Sequence, residues 1–149
     1  MHMADALLSP AVGAAMYVAS TGALARSTHK IDVEALEKKI PIMAVAGSFV
    51  FAAQMINFTI PITGSSGHIG GGILLAAMLG GYPALMTIAA VLSIQALFFA
   101  DGGLLALGAN IFNLGVIPCL FVYPLLFKPL MKKAQVQNRS PSHRSSRLS

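Results

Sequence analysis

Tryptophan is absent, cysteine occurs once, and only 10% of the 149 residues carry a formal charge. A single cysteine excludes an internal disulfide and any multi-cysteine metal cluster. Cys119, in an apolar run beside Pro118, is expected to be a small packing residue. Charge is missing over whole stretches: the 61 residues from Ile40 to Ala100 contain no Asp, Glu, Lys or Arg. One buried core helix does not need so long a run, and the bilayer is its natural solvent. Two further uncharged stretches, Ala6 to Ala25 and Gly102 to Phe127, are each long enough to cross ~30 Å of hydrocarbon at ~1.5 Å per residue. The mean hydropathy of +0.74 agrees. No paired carboxylates, nucleophile and base pattern or His-Glu-x-x-His occurs, so an enzyme is not expected. The glycine-rich GSSGHIGGG from Gly64 to Gly72 lacks the Gly-Lys-Ser/Thr of a phosphate loop, so no ATPase of its own is expected.

The pattern predicts an all-α, polytopic membrane bundle of about five transmembrane helices: Leu7–Ala25, Ile40–Phe58, Ile69–Leu79, Ala84–Ala100 and Leu107–Phe127. All ten basic residues lie in the Arg26–Lys39 loop or from Lys128 onward, which places both segments in the cytoplasm and the N-terminus outside. The His68 loop and the turn from Asp101 to Asn110 then share the outer side with the N-terminus. Residues 1–133 read as one transmembrane domain, and Ala134 to Ser149 as a disordered basic tail. Positive charge after a span is explained by membrane orientation, so nucleic acid is not an expected partner. Asp5 precedes the first apolar segment and Arg26 follows it, the reverse of a signal peptide, so Met1 is expected to be the true start.

Met1 and His2 together offer one cation the α-amine, the His2 amide nitrogen and the His2 imidazole, closing two small chelate rings. Planar nitrogen ligation of this kind suits Ni(II) or Cu(II), and Co(II) less strictly. Against this stands the plain reading of His2 as an ordinary terminal residue. His68, the only histidine in the uncharged run, is the candidate fourth ligand, with a merely hydrogen-bonded membrane histidine as the alternative. His29 and His143 fall on the cytoplasmic side as bystanders. Gln54, Asn57, Gln95, Asn110 and Asn113 are amides in or beside apolar spans and must find partners. They are either interhelical hydrogen bonds or a second layer that fixes the histidines. Asp101 and Asp5 are the only carboxylates outside the cytoplasmic loop, suited to the cation or to a helix N-terminus. Ala11, Ala15, Ala19 and Ala23 form a small-residue stripe suited to close helix packing, with a partner or internally.

MHMADALLSP at the start, FVFAAQMINFTIP with SSGHIGGG in the middle, and QALFFADGGLLALGANIFNLG together resemble the nickel/cobalt-specific substrate-binding subunit of energy-coupling-factor transporters, the CbiM/NikM family. The likeness covers about residues 1–133. It implies that Met1 (amine), His2 (amide and imidazole) and His68 (imidazole) bind Ni2+ or Co2+ as transported substrate rather than cofactor. It also implies a prokaryotic cell membrane location, capture on the outer face, a transmembrane coupling subunit with two ATPase partners, and a link to cobalamin synthesis or a nickel enzyme. Similar proteins continue with further transmembrane helices after the region ending near Lys133, whereas this sequence turns to AQVQNRSPSHRSSRLS and looks truncated. The competing expectations are therefore a transport-incompetent fragment and a membrane scaffold whose histidines are incidental.

Overall fold

The computed structural model describes residues 2–59, 61–62 and 66–139. The architecture is a helical bundle. Helix α1 (Pro10–Lys30) opens with the Ser9 side chain accepting from the Val12 amide at 3.4 Å and with proline at its first position, two start signals that satisfy or avoid orphan amides. A short α2 (Val33–Glu37) is capped by Asp32. Helix α3 (Ile40–Met55) leads into a two-residue antiparallel pair, β1 (Phe58–Thr59) with β2 (Ser66–Gly67), in which Phe58 faces Gly67. Helices α4 (Gly72–Leu79) and α5 (Gly81–Phe98) follow. From Leu107 the chain is helical to Arg139: α6 (Leu107–Ile111), a π-helical segment (Phe112–Phe127) and α7 (Lys128–Arg139).

Helix α5 is the central post. Leu85, Ile88 and Leu92 are wholly buried and meet Val50 of α3, Leu75 and Leu79 of α4, and Ile111 and Val116 of the last helix. Outward-facing side chains are large and apolar too: Val18 is 75% exposed, Val45 72% and Phe98 77%. An apolar exterior around an apolar core fits a bundle solvated by lipid. Gly81–Phe98 and Leu107–Val136 are long and apolar enough to cross a membrane, while Ile40–Met55 is a shorter apolar helix.

Several boundaries differ from the sequence-based expectation: α1 starts at Pro10 rather than Leu7, α3 ends at Met55 rather than Phe58, and α5 runs from Gly81 to Phe98 rather than from Ala84 to Ala100. Helix α1 runs on to Lys30, with Ser27 and Thr28 bonding back to Ala23 and Ala25 carbonyls. Helix α4 starts only at Gly72 and has 8 residues, about 12 Å of rise and less than half of a bilayer core. The chain reverses after it at Gly80, whose φ of +88° a side chain would strain, and Lys39 donates through Nζ to the Leu79 carbonyl at 2.9 Å, neutralising the helix C-terminus. Ala134–Arg139, read as disordered tail, continues α7 as helix; residues 140–149 lie outside the described residues.

The π geometry of Phe112–Phe127 accompanies Pro118 and Pro124 inside the helix. Proline removes an amide donor and crowds the carbonyl one turn back, so a wider turn relieves both. Pro118 and the Leu114 carbonyl lie so close to Gly72 that a Cβ there would approach to 2.7 and 2.3 Å. Only glycine permits that contact between α4 and the last helix.

Candidate metal centre

The chain from His2 to Asp5 is threaded into one end of the bundle. Asn110, buried at the start of the last helix, grips both backbone polar groups of Met3: its Oδ1 accepts from the Met3 amide at 2.7 Å and its Nδ2 donates to the Met3 carbonyl at 3.3 Å. The same carbonyl accepts from the Gly103 amide at 3.4 Å. Asp5 Oδ1 accepts from the Ala106 amide at 2.8 Å, where Ala106 caps α6. Of its two expected roles Asp5 thus performs the one at a helix N-terminus.

Gly102 and Gly103 make room for this strap. Gly102 holds φ +86° and a Cβ there would stand 3.2 Å from His2 Cβ, while one on Gly103 would lie 1.7 Å from Asp5 Oδ1. Ala100, with φ +51°, adopts the left-handed region that non-glycine residues seldom use. This sharp turn at the end of α5 aims Asp101 at His2.

His2 is only 2% exposed. Its Nδ1 lies 3.0 Å from His68 Nε2 and 3.3 Å from Asp101 Oδ1, and the two imidazole rings are 4.4 Å apart between centroids. His68 Nδ1 is 2.9 Å from the Ile69 carbonyl. A carbonyl only accepts, so Nδ1 carries the proton and the neutral ring presents the lone pair of Nε2 toward His2. The protein therefore fixes a tautomer and aims it. Asp101 is anchored through its other oxygen by Asn57 Nδ2 at 3.0 Å. Burial lowers the His2 pKa to about 4, an effect that Asp101 opposes and His68 reinforces. Burial also lowers the His68 pKa, against the pull of its Ile69 hydrogen bond. Both rings are thus poised neutral, the form that binds metal.

The expected ligands His2 and His68 meet, with Asp101 beside them. Met1, whose amine was the remaining expected donor, lies outside the described residues. Among the described residues no three His, Cys, Asp or Glu side chains are arranged to hold an ion by themselves.

The amides divide into those near this point and those that act at a distance. Asn57 reaches it through Asp101, and Asn110 by gripping Met3. Gln54 donates to the Gly70 carbonyl at 2.8 Å and thereby pins the chain two residues past His68. Gln95 lies near Met55 Sδ through its Nε2 at 4.0 Å, and its backbone carbonyl accepts from Asp101 at 3.2 Å. The exposed Asn113 makes only a 3.8 Å contact to Met3 Sδ. No histidine is touched directly by Gln54, Gln95 or Asn113 in these contacts. In the alanine stripe, Ala11, Ala15 and Ala19 are exposed and Ala23 packs against the core. Sequence reasoning missed the strap itself: the Met3 peptide, Gly102, Gly103 and the Ile69 carbonyl. The Asp-Gly-Gly step before a buried asparagine was its only trace.

The family profile described as the cobalt uptake substrate-specific transmembrane region, CbiM, matches residues 2–146. The chain belongs to the CbiM family. It is 36% identical over 117 residues to a fused nickel transport protein, NikMN, of Rhodobacter capsulatus, covering 78% of this chain and 33% of that protein. It is 33% identical over 136 residues to a protein of Methanosarcina barkeri described as a cobalt transport protein, covering 89% of this chain and 56% of the relative. A solved truncated transition metal transporter superposes with a TM-score of 0.75 at 36% identity, covering 89% of this chain and 62% of that one. The chain thus spans from about a third to about three fifths of the length of these relatives. Its CbiM membership makes it a protein of the cobalt and nickel transport families, and the apolar bundle is the membrane fold of that group.

Proposed function

We propose that this CbiM-family chain captures Ni2+ or Co2+ at the strap end of the bundle, with the ion held by the Met1 amine, the His2 amide nitrogen, His2 Nδ1 and His68 Nε2. The observation that carries this is the 3.0 Å approach of His2 Nδ1 to His68 Nε2 with the tautomer of His68 set by Ile69. In a chelate built from an N-terminal amine and the next amide, Nδ1 is the imidazole nitrogen that closes the six-membered ring. Neighbouring ligands with bonds of roughly 2.1 Å at right angles stand about 3 Å apart, so the two nitrogens are spaced for one ion. The ion replaces the proton that His2 Nδ1 shares with His68 and Asp101. Asp101, held by Asn57, offsets part of the charge of the bound cation.

The basic Arg26–Lys39 segment and the Lys128 end supply the orientation: they lie inside, and the strap faces outward. Uptake then requires partners, a transmembrane coupling subunit against the exposed Ala11, Ala15 and Ala19 stripe and ATPase subunits that drive release inward. The membrane is the prokaryotic cell membrane, crossed several times. Equilibrium titration of purified protein with Ni2+ and Co2+ tests the capture step. His68→Ala is expected to weaken both ions at least 10-fold, while His29→Ala leaves binding intact. Equal losses in the two variants would remove His68 from the site.

A further inference from the structure

The C-terminal part of α1, the start of α5 and the π segment, with Lys128 just beyond it, line a groove of about 670 Å³. Its wall is mostly apolar, with Ala23, Val116 and Leu120 along its length. Two cations, Arg26 and Lys128, stand with Tyr82 and Tyr123 in its lining. No carboxylate lines it, and among the described residues neither cation is in an ion pair. Lys128 Nζ instead lies 5.2 Å from the Tyr123 ring centroid, and Tyr123 stacks on Phe127. Arg26 and Lys128 lie 102 positions apart in sequence and on different helices, so the fold brings them to one cleft.

We infer that this groove is a binding site for one anionic phospholipid, its phosphate between Arg26 and Lys128 and an acyl chain along Val116 and Leu120. A cleft with an apolar floor and two uncompensated cations matches a molecule that is anionic at one end and hydrocarbon at the other. Basic pockets between membrane helices select anionic headgroups for this reason. A zwitterionic lipid would fill the apolar part but bring a third cation to the two already present. A partner helix would fill it too, but would need its own carboxylate to answer both charges. The groove shares no residue with the metal centre, since none of His2, His68 and Asp101 lines it.

Native mass spectrometry of detergent-solubilised protein offered equal phosphatidylglycerol and phosphatidylcholine reads the selection directly, with glycerol phosphate as the soluble probe. Phosphatidylglycerol is expected to be retained preferentially and glycerol phosphate not at all. Each basic side chain beside an anionic lipid contributes about five-fold, so the Arg26→Gln, Lys128→Gln double variant is expected to lose about 30-fold in phosphatidylglycerol retention. Lys132→Gln with Lys133→Gln removes the same charge from α7 outside the groove and is expected to change retention less than 3-fold. Unchanged circular dichroism shows that both variants fold. Equal retention of the two lipids, equal losses in the two double variants, or glycerol phosphate binding without lipid would each overturn the assignment.

Discussion

Asn110→Ala should release the N-terminal strap and weaken metal capture without touching a proposed ligand. The side chain supplies two hydrogen bonds to the Met3 peptide, at 2.7 and 3.3 Å, and is 2% exposed. Each such bond is worth roughly 0.5–1.5 kcal/mol net, and a donor left without a partner away from water adds ~1–3 kcal/mol. Undocking of the strap therefore becomes easier by about 2–6 kcal/mol. Residues that orient ligands typically change metal affinity by about 10–100-fold when lost, or about 1.4–2.7 kcal/mol, which overlaps the lower end of that range. Isothermal titration with Ni2+ gives the affinity, and trimming by an aminopeptidase gives the exposure of the N-terminus. Both should move together. Asn113→Ala removes only the 3.8 Å contact to Met3 Sδ and should stay within about 3-fold, the scale of a weak contact. If Asn110→Ala binds Ni2+ as the parent does and its N-terminus stays protected, the strap is not what positions His2.

Gly108→Ala places a Cβ 2.6 Å from the Tyr17 amide nitrogen, where α1 and α6 touch backbone to backbone; the loss should be about 1–3 kcal/mol, read as a lower Tm in detergent. Gly22→Ala in α1 meets nothing within 4 Å and should raise Tm through helix propensity worth up to ~1 kcal/mol; a fall there would contradict the exposed position of Gly22. For pH, the folded chain holds His2 at a lowered pKa of about 4, so it binds fewer protons than the unfolded chain below ~6.5. Stability from His2 is fully present above that value and lost as pH falls toward 4. A thermal scan of metal-free protein should show that loss in the parent and less of it in His2→Gln.

Much of the architecture was legible because the bilayer writes itself into sequence as uncharged length. The apolar stretches became α1, α3, α5 and the last helix, and the histidines at positions 2 and 68 proved to be neighbours although 66 residues separate them. What periodicity did not reveal was set by close approach. Helix α4 is short because Gly70 and Gly71 precede it as non-helical chain, with Gln54 holding the Gly70 carbonyl. The helical extension to Lys30 includes Ser27 and Thr28, whose hydroxyls bond back to the Ala23 and Ala25 carbonyls, residues that by composition read as loop. The amides were recognisable as needing partners, but their partners were not. Asn110 takes a backbone unit 107 positions away, and such long-range pairings leave no local pattern.

The nickel complex of the native chain, compared with that of the N-terminally acetylated chain, bears most directly on the four-nitrogen site. Affinity and the electronic state of the bound Ni2+ are measured together. The native protein should hold a square-planar, diamagnetic ion, the state that four strong in-plane nitrogen donors favour. Acetylation, or insertion of two residues between Met1 and His2, should weaken binding at least 10-fold and abolish that state in protein that remains folded. If acetylated protein binds Ni2+ with the same affinity and the same planar signature, the amine is not a ligand, and the site must be rebuilt around His2, His68 and Asp101.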